Sequence, residues 1–459
     1  MRVFMLGWEF PPHISGGLGT ACYGMTRGLD EIGVEVSFVL PTAVPVEGPS
    51  HVRLRSPTDL PAERRASVEG NPEPEFQHVR MHRVEAFLQP YGRPDAPTRT
   101  VEEVLEWKDE ANEAQVAEES AAPSADLPQM PQVTPETVKS LVQGAGANYD
   151  GDLMGQISRY ARLAVELARN ERFDVVHAHD WMTFPAAQAV AAATGKPLVV
   201  HVHSTEFDRA GEHVNQHVYD IERTGMHAAD RVVCVSHLTR RIAERRYGVP
   251  PERLEVVYNA VDLNDNGVAP SMKPIKRDEK IVLFLGRVTM QKGPEYFLRA
   301  AKKVVEKFQD VRFVMAGSGD MIRQCIQEAA DLKLGQYVTF TGFLRGADVD
   351  RVFRMADLYV MPSVSEPFGI APLEALSHNV PVIISKQSGV SEVLTHALKV
   401  DFWDIDEMAN KILAVLRHRP LQTTLRQHGA IELRKFSWRD SAENLRGVYE
   451  RAIAARQRA

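Results

Sequence analysis

Glu366 and Glu374 stand with seven residues between them in the run Pro362-Ser363-Val364-Ser365-Glu366-Pro367-Phe368-Gly369-Ile370-Ala371-Pro372-Leu373-Glu374-Ala375. Before them, Leu358-Tyr359-Val360-Met361-Pro362 reads as a buried strand, and Ala371 to Ser377 as a helix that tolerates Pro372 in its first turn. Backbone N–H groups near Gly369 and Ile370 would then emerge unpaired from the helix start, where a phosphate can bind. A helical path would put Glu374 roughly 12 Å beyond Glu366. That separation suits one carboxylate on a hexose and the other on a ribose, so the expected chemistry is recognition of a sugar nucleotide.

Such chemistry needs positive charge at a departing diphosphate. The stretch Gly286-Arg287-Val288-Thr289-Met290-Gln291-Lys292-Gly293 supplies Arg287 and Lys292 just after a strand ending at Leu285. At an effective dielectric near 20, one charge pair at 4 Å is worth about 4 kcal/mol before desolvation is subtracted. A second phosphate-side element is Ser15-Gly16-Gly17-Leu18-Gly19, ahead of an expected helix from Thr20 to Gly33. The missing side chains of Gly16 and Gly17 let main-chain amides approach an anion closely, although the Gly-x-Gly-x-x-Gly dinucleotide pattern is not met. Two further runs end buried strands with polar groups, Asp174-Val175-Val176-His177-Ala178-His179-Asp180-Trp181 and His201-Val202-His203-Ser204-Thr205-Glu206. In parallel α/β folds such strand ends face the ligand crevice. Weaker signals of the same kind are Ala316-Gly317-Ser318-Gly319-Asp320 and Gly342-Phe343-Leu344.

The Glu366 to Glu374 spacing, with Glu-Pro-Phe-Gly inside it and Asn379-Val380-Pro381-Val382-Ile383 after it, resembles the signature of retaining GT-B glycosyltransferases of the family 4 type. Gly286-Arg287, four residues, then Lys292-Gly293 is similar to that family's phosphate element. The Gly16-Gly17-Leu18 loop and the His177 to Trp181 run resemble glycogen and starch synthases. Those glucan enzymes often carry Lys two residues before the Gly pair, where this chain has Ile14.

The resemblance implies an α/β GT-B fold with two Rossmann-like doubly wound domains facing a central cleft. It implies a hexosyltransferase that moves a hexosyl group, glucosyl by preference, from a nucleoside diphosphate to a hydroxyl with retention. ADP- or UDP-glucose is the expected donor and an α-glucan the expected acceptor. Arg287, Lys292, Glu366 and His203 are then the catalytic residues. Gly16, Gly17, Gly369, Ile370 and Glu374 bind the donor, Gly317 and Phe343 line the base pocket, and His179 and Asp180 stand on the acceptor side. No cofactor beyond the donor and no metal is expected. The alternatives are a transferase to a small or lipid-linked acceptor, and a catalytically silent sugar-nucleotide sensor.

Two His-x-His pairs also fit a zinc hydrolase, since alternate strand residues share a face and could hold one metal. Three Asp-x-Asp triplets, at Asp150/Asp152, Asp348/Asp350 and Asp404/Asp406, follow no convincing strand.

These residues need a scaffold that 459 positions amply allow, and two domains are the natural expectation for that length. Apolar runs alternate with helical patterns, the signature of parallel sheets covered by helices. Strands are expected at 2–6, 35–40, 175–178, 198–201 and 231–235, and again at 280–285, 312–316, 337–341, 358–361 and 382–385. The join falls near 262–279, giving an acceptor-side domain at 1–262 and a nucleotide-sugar domain at 263–436. A last helix within 437–459 should return to the first domain.

From Asp95 to Asp150 there are 12 acids and 3 bases, which leaves +2 for the rest of a chain whose net charge is −7. This segment, about 94–147, reads as a disordered insertion, since few large apolar residues offset its ordering entropy. The formal charge therefore says little about the cleft, and nothing points to nucleic acid. Three scattered cysteines, Cys22, Cys234 and Cys325, form no metal spacing and suit a reduced, cytoplasmic setting. No apolar run is long enough for a signal peptide or a membrane span. Arg240, Arg241, Arg245 and Arg246 on one helix read as a solvated face. The sequence leaves the oligomeric state open.

Overall fold

The computed structural model describes residues 1–10, 16–41, 53–55, 79–83, 153–262 and 279–458. The acidic insertion, Ile14, Ser15 and the join at 263–278 lie outside them.

Two parallel sheets form the two halves. The first contains β1 (Arg2–Leu6), β2 (Glu35–Leu40), β3 (Arg53–Arg55), β4 (Val79–Arg83), β5 (Val175–His179), β6 (Leu198–Val202), β7 (Arg231–Cys234) and β8 (Leu254–Val256), in the order β3-β4-β2-β1-β5-β6-β7-β8. The second contains β9 (Lys280–Leu285), β10 (Val311–Ala316), β11 (Val338–Gly342), β12 (Leu358–Met361), β13 (Val382–Ser385) and β14 (Leu398–Val400), in the order β11-β10-β9-β12-β13-β14. β5, β6, β12 and β13 are buried along their whole length. Strands covered by helices on both faces are buried throughout, and β5 and β6 bury histidines among their apolar residues.

The expected strands are present with ends moved by at most one residue. Four others, β3, β4, β8 and β14, were not expected. β3, β8 and β14 are sheet edges of three residues each, too short to carry a periodic signal.

The helices that position the site are α1 (Gly17–Glu31), α2 (Glu206–Ala210), α3 (His237–Tyr247), α4 (Ala371–Ser377) and α5 (Trp438–Arg458). α1 starts at Gly17, three residues before the expected Thr20, because Gly16 already accepts from the Thr20 amide at 3.4 Å. α5 lies against α1 across the first domain. A Cβ at Gly24 would come within 2.0 Å of the Trp438 ring, and one at Gly28 within 2.3 Å of the Trp438 carbonyl oxygen, so two glycines one turn apart permit this contact. Tyr449 of α5 reaches the underside of the first sheet, its hydroxyl 2.6 Å from His177 Nδ1.

Candidate functional site

The second sheet reverses its strand order between β9 and β12, and the loops leaving those two strands carry the basic and acidic candidates. Arg287 Nη2 donates to Gln291 Oε1 at 3.3 Å, and Lys292 Nζ lies 2.5 Å from Glu366 Oε2. Ser363 Oγ donates to the same carboxylate at 3.1 Å. The loops are also tied through the main chain, with Val364 N donating to Gln291 O at 2.9 Å. Glu366 itself extends the sheet by bridging Ser388. Arg287, Lys292 and Glu366 therefore form one braced unit at a topological switch point, where open α/β sheets bind ligands.

Glu374 lies half-buried in the first turn of α4, and burial pushes its carboxyl up to about 7, with Asp350 adding to the rise. Both carboxylates act on the buried Tyr359 hydroxyl, which is raised first by burial and then by Glu366 and Glu374. Gly369 has φ of 100°, a value that favours glycine, and Ile370 follows as the residue capping α4. Gly317, just past β10, lies so close to Gly286, just past β9, that an added Cβ would meet Gly286 O at 1.8 Å. Phe343, just past β11, is half-buried with Arg345 5.1 Å over its ring.

The first sheet presents a different lip. Its strand order reverses between β1 and β5, and the groups beyond these strands are Glu9 and Asp180. Glu9 is 3 % exposed and accepts from Gly19 N at 3.2 Å, so a carboxylate already serves the N-terminus of α1 beside Gly16 and Gly17. Burial raises its carboxyl to about 7, against lowering by the Gly19 amide and Arg287. Asp180, at φ 60°, accepts from the amides of His203 at 2.7 Å and Ser204 at 3.3 Å. It too is raised to about 7 by burial, although those two amides and Arg209 pull the other way. Asp180 thus holds the loop that bears His203.

His179 is fully buried, and its Nδ1 lies 2.9 Å from His203 Nε2. The half-buried His203 covers it on the cleft side.

Loops of both domains meet between these lips. Ser365 Oγ donates to Asp208 Oδ1 at 2.5 Å, and Ser236 Oγ to Pro367 O at 2.6 Å. His237 N, at the start of α3, donates to Glu392 Oε2 at 2.9 Å. Asp208 belongs to the capping box of α2, where its Oδ2 accepts from Thr205 N and Oγ1 at 2.8 and 2.7 Å. Arg209 anchors the same short helix through Glu206 at 3.0 Å and Glu222 at 2.5 Å. On α3, Arg241 pairs with Glu392 and Arg246 with Glu212.

Glu9, Asp208 and Arg209 were not among the sequence candidates. The capping pattern Thr205-x-x-Asp208 was a readable signal for α2. Glu9 carried only the weak signal of an acid two residues past a strand-ending glycine.

Known proteins are similar to both halves. Residues 130–265 match the family model described as Glycosyltransferase Family 4, and residues 269–431 that described as Glycosyl transferases group 1. An uncharacterized glycosyltransferase of Methanocaldococcus jannaschii is 25% identical over 99% of this chain and 99% of its own length. A D-inositol 3-phosphate glycosyltransferase of Mycolicibacterium smegmatis is 28% identical over 73% of this chain and 81% of its own length. Among solved structures, Anabaena HepE in complex with UDP-glucose superposes with a TM-score of 0.63, at 16% identity over 96% of this chain and 97% of that one. Two Rossmann-like domains meeting at the carboxyl ends of parallel strands are the GT-B arrangement. Among the described residues, no helix is long and apolar enough to cross a membrane.

Proposed function

We propose that this chain, a glycosyltransferase of the GT-B type, transfers a hexosyl group, glucosyl by preference, from a nucleoside-diphosphate sugar to an alcohol acceptor with retention at the anomeric carbon. The observation that carries the reading is the braced set of Arg287, Lys292 and Glu366 at the β9/β12 switch point, with Arg287 near enough to Glu9 beside the α1 N-terminus of the other domain to lower its carboxyl.

Arg287 and Lys292 neutralise the charge that grows on the departing diphosphate, and Lys292 is oriented for this by Glu366 at 2.5 Å. Preorganised charge of this kind is the largest single contribution in many enzymes. Glu366 holds sugar hydroxyls and Glu374 the ribose. Gly317 and Phe343 line the base pocket, and Gly369 and Ile370 bring main-chain donors to the phosphates. Retention follows a front-face route, in which the leaving phosphate oxygen takes the acceptor proton as the acceptor oxygen bonds to the anomeric carbon. The loops that join the domains at Ser365–Asp208 and Ser236–Pro367 exclude water, which would otherwise compete as acceptor.

Of the two acceptor classes, a small polyol or sugar is better supported than an α-glucan. The glucan likeness rests on the His177 to Trp181 run, and there His179 and Asp180 turn into the domain to serve the His203 loop. The mycobacterial relative is named for a small phosphorylated alcohol.

The test is release of free nucleotide from ADP-, UDP-, GDP- and dTDP-glucose, with glycogen and with a panel of small polyols and sugar phosphates. Release from one glucose donor that needs a small acceptor is expected. Binding of a donor with no release under any acceptor would instead make the chain a sensor.

A further inference from the structure

Four histidines, His177 and His179 on β5 with His201 and His203 at the end of β6, form a stack between the first sheet and α5. The two strands are in parallel register with His179 opposite His201, so all four rings project to one side. Neighbouring ring centroids are 4.2 Å apart for His201 and His203, 4.4 Å for His177 and His179, and 5.3 Å for His179 and His201. The nitrogens His177 Nε2, His179 Nε2, His201 Nδ1, His201 Nε2 and His203 Nδ1 are buried without a hydrogen-bond partner. Native interiors seldom leave so many polar atoms unmet in one place. One ring nitrogen from each of His177, His179 and His201 lies within 4.8 Å of the other two.

We infer that this stack is a metal site, in which Nε2 of His177, Nε2 of His179 and one nitrogen of His201 bind a single zinc-class divalent cation. The other nitrogens support that assignment. His177 Nδ1 is engaged by the Tyr449 hydroxyl at 2.6 Å and His179 Nδ1 by His203 Nε2 at 2.9 Å. With the proton on each Nδ1, both buried Nε2 atoms are left with free lone pairs. An outer partner on the second nitrogen is the usual way a protein fixes the tautomer of a metal-binding histidine.

Tetrahedral zinc with bonds of about 2.0–2.1 Å needs ligand nitrogens about 3.4 Å apart, so ring rotations of about an ångström close the set. The ion lies beneath the cleft, where it would hold His179 and through it the tautomer of His203. The site does not depend on sugar transfer, and its test reads no activity.

Full-length protein without an affinity tag is stripped with chelator, dialysed against Zn2+ and weighed for metal, and Co2+ is added to a second sample. Retention of about one Zn2+ per chain is expected, as is the visible band of Co2+ held four-coordinate by the three histidines and a water. His201→Gln should abolish both while its thermal transition persists. Tyr449→Phe, which removes one hydroxyl, should weaken affinity about 10–100-fold. A folded wild-type chain that retains no Zn2+ overturns the inference. So does binding that survives in His201→Gln and vanishes in His428→Ala, because the ion then belongs to the exposed His396–His428 pair.

Discussion

The two lips of the cleft are built on the same topological plan and wired in opposite ways. At the second sheet, Lys292 is paired with the buried Glu366, and the half-buried Arg287 is held by the neutral Gln291 amide. At the first sheet, Glu9 and Asp180 are buried acids held near 7, spent on main-chain amides, above a stack of histidines kept neutral by burial. On the proposed reading, one lip is a charge clamp for an anion. The other is a wall whose buried polar groups shape loops. A diphosphate bound as proposed would draw on the second domain for Coulomb energy and on the first for shape.

The largest effect should come from discharging the clamp. Arg287→Ala is expected to lower kcat/KM by about 10²–10³, or roughly 3–4 kcal/mol, with the melting temperature almost unchanged, because the residue sits in a loop outside both cores. Steady-state nucleotide release and a thermal melt on the same preparation check it. A loss of melting temperature in proportion to the loss of rate would mean that the charge is structural, and the contrast between the lips would fail.

The wall should reveal itself through pH. Glu9 has its carboxyl raised from 4.5 to about 7 by burial. Below 4.5 the acid is protonated both folded and unfolded, and it makes no difference. Between 4.5 and 7 the unfolded chain gives up the proton while the folded one keeps it, so stability falls as pH rises, by about 3 kcal/mol in all. Above 7 the penalty is fully present. Glu9→Gln should therefore be more stable than the parent at pH 8 and equal to it near pH 4. A stability difference that stays flat across that range in paired melts refutes the buried-acid reading.

The same contrast explains what could be read from the chain. The charged candidates were legible because charge chemistry shows in residue type: Arg287, Lys292 and Glu366 are told by spacing after apolar runs, and the structure pairs Lys292 with Glu366 while Arg287 binds the neighbouring Gln291. The wall was less legible because its logic is burial. A sequence names His179 and Asp180 but does not tell whether they face ligand or one another, and here they hold His203 from behind. Glu9 escaped for the same reason, as its partner Gly19 amide is a main-chain group that any residue supplies. Among strands, the three-residue edges β3, β8 and β14 carried no alternation to read, whereas the central strands were found nearly to the residue.

Asp180 separates shape from charge within the wall. Asp180→Ala leaves the His203 and Ser204 amides without their acceptor and should cost about 2 kcal/mol of stability. Asp180→Asn keeps an oxygen for those amides and suits the φ of 60°, so it should cost under about 1 kcal/mol. Denaturant melts of the pair measure the difference. Equal losses would show that the negative charge, rather than the acceptor geometry, matters.

The smallest effect belongs to the latch between the lips. Ser365 Oγ donates to Asp208 Oδ1 at 2.5 Å, and Asp208 is fixed from below by Thr205, so closure brings a mobile hydroxyl to a carboxylate already held in place. Water competes for that bond, so only the net difference of about 1 kcal/mol favours the contact. Ser365→Ala should then raise the donor KM about fivefold, leave kcat within about twofold and spare the melting temperature, because both domains keep their own cores. Asp208→Asn should act on the same contact, so the two substitutions together should cost less than their separate effects combined. Strict additivity in donor KM would show that Ser365 and Asp208 act on the cleft independently, and that the clamp closes on its ligand without help from this bond.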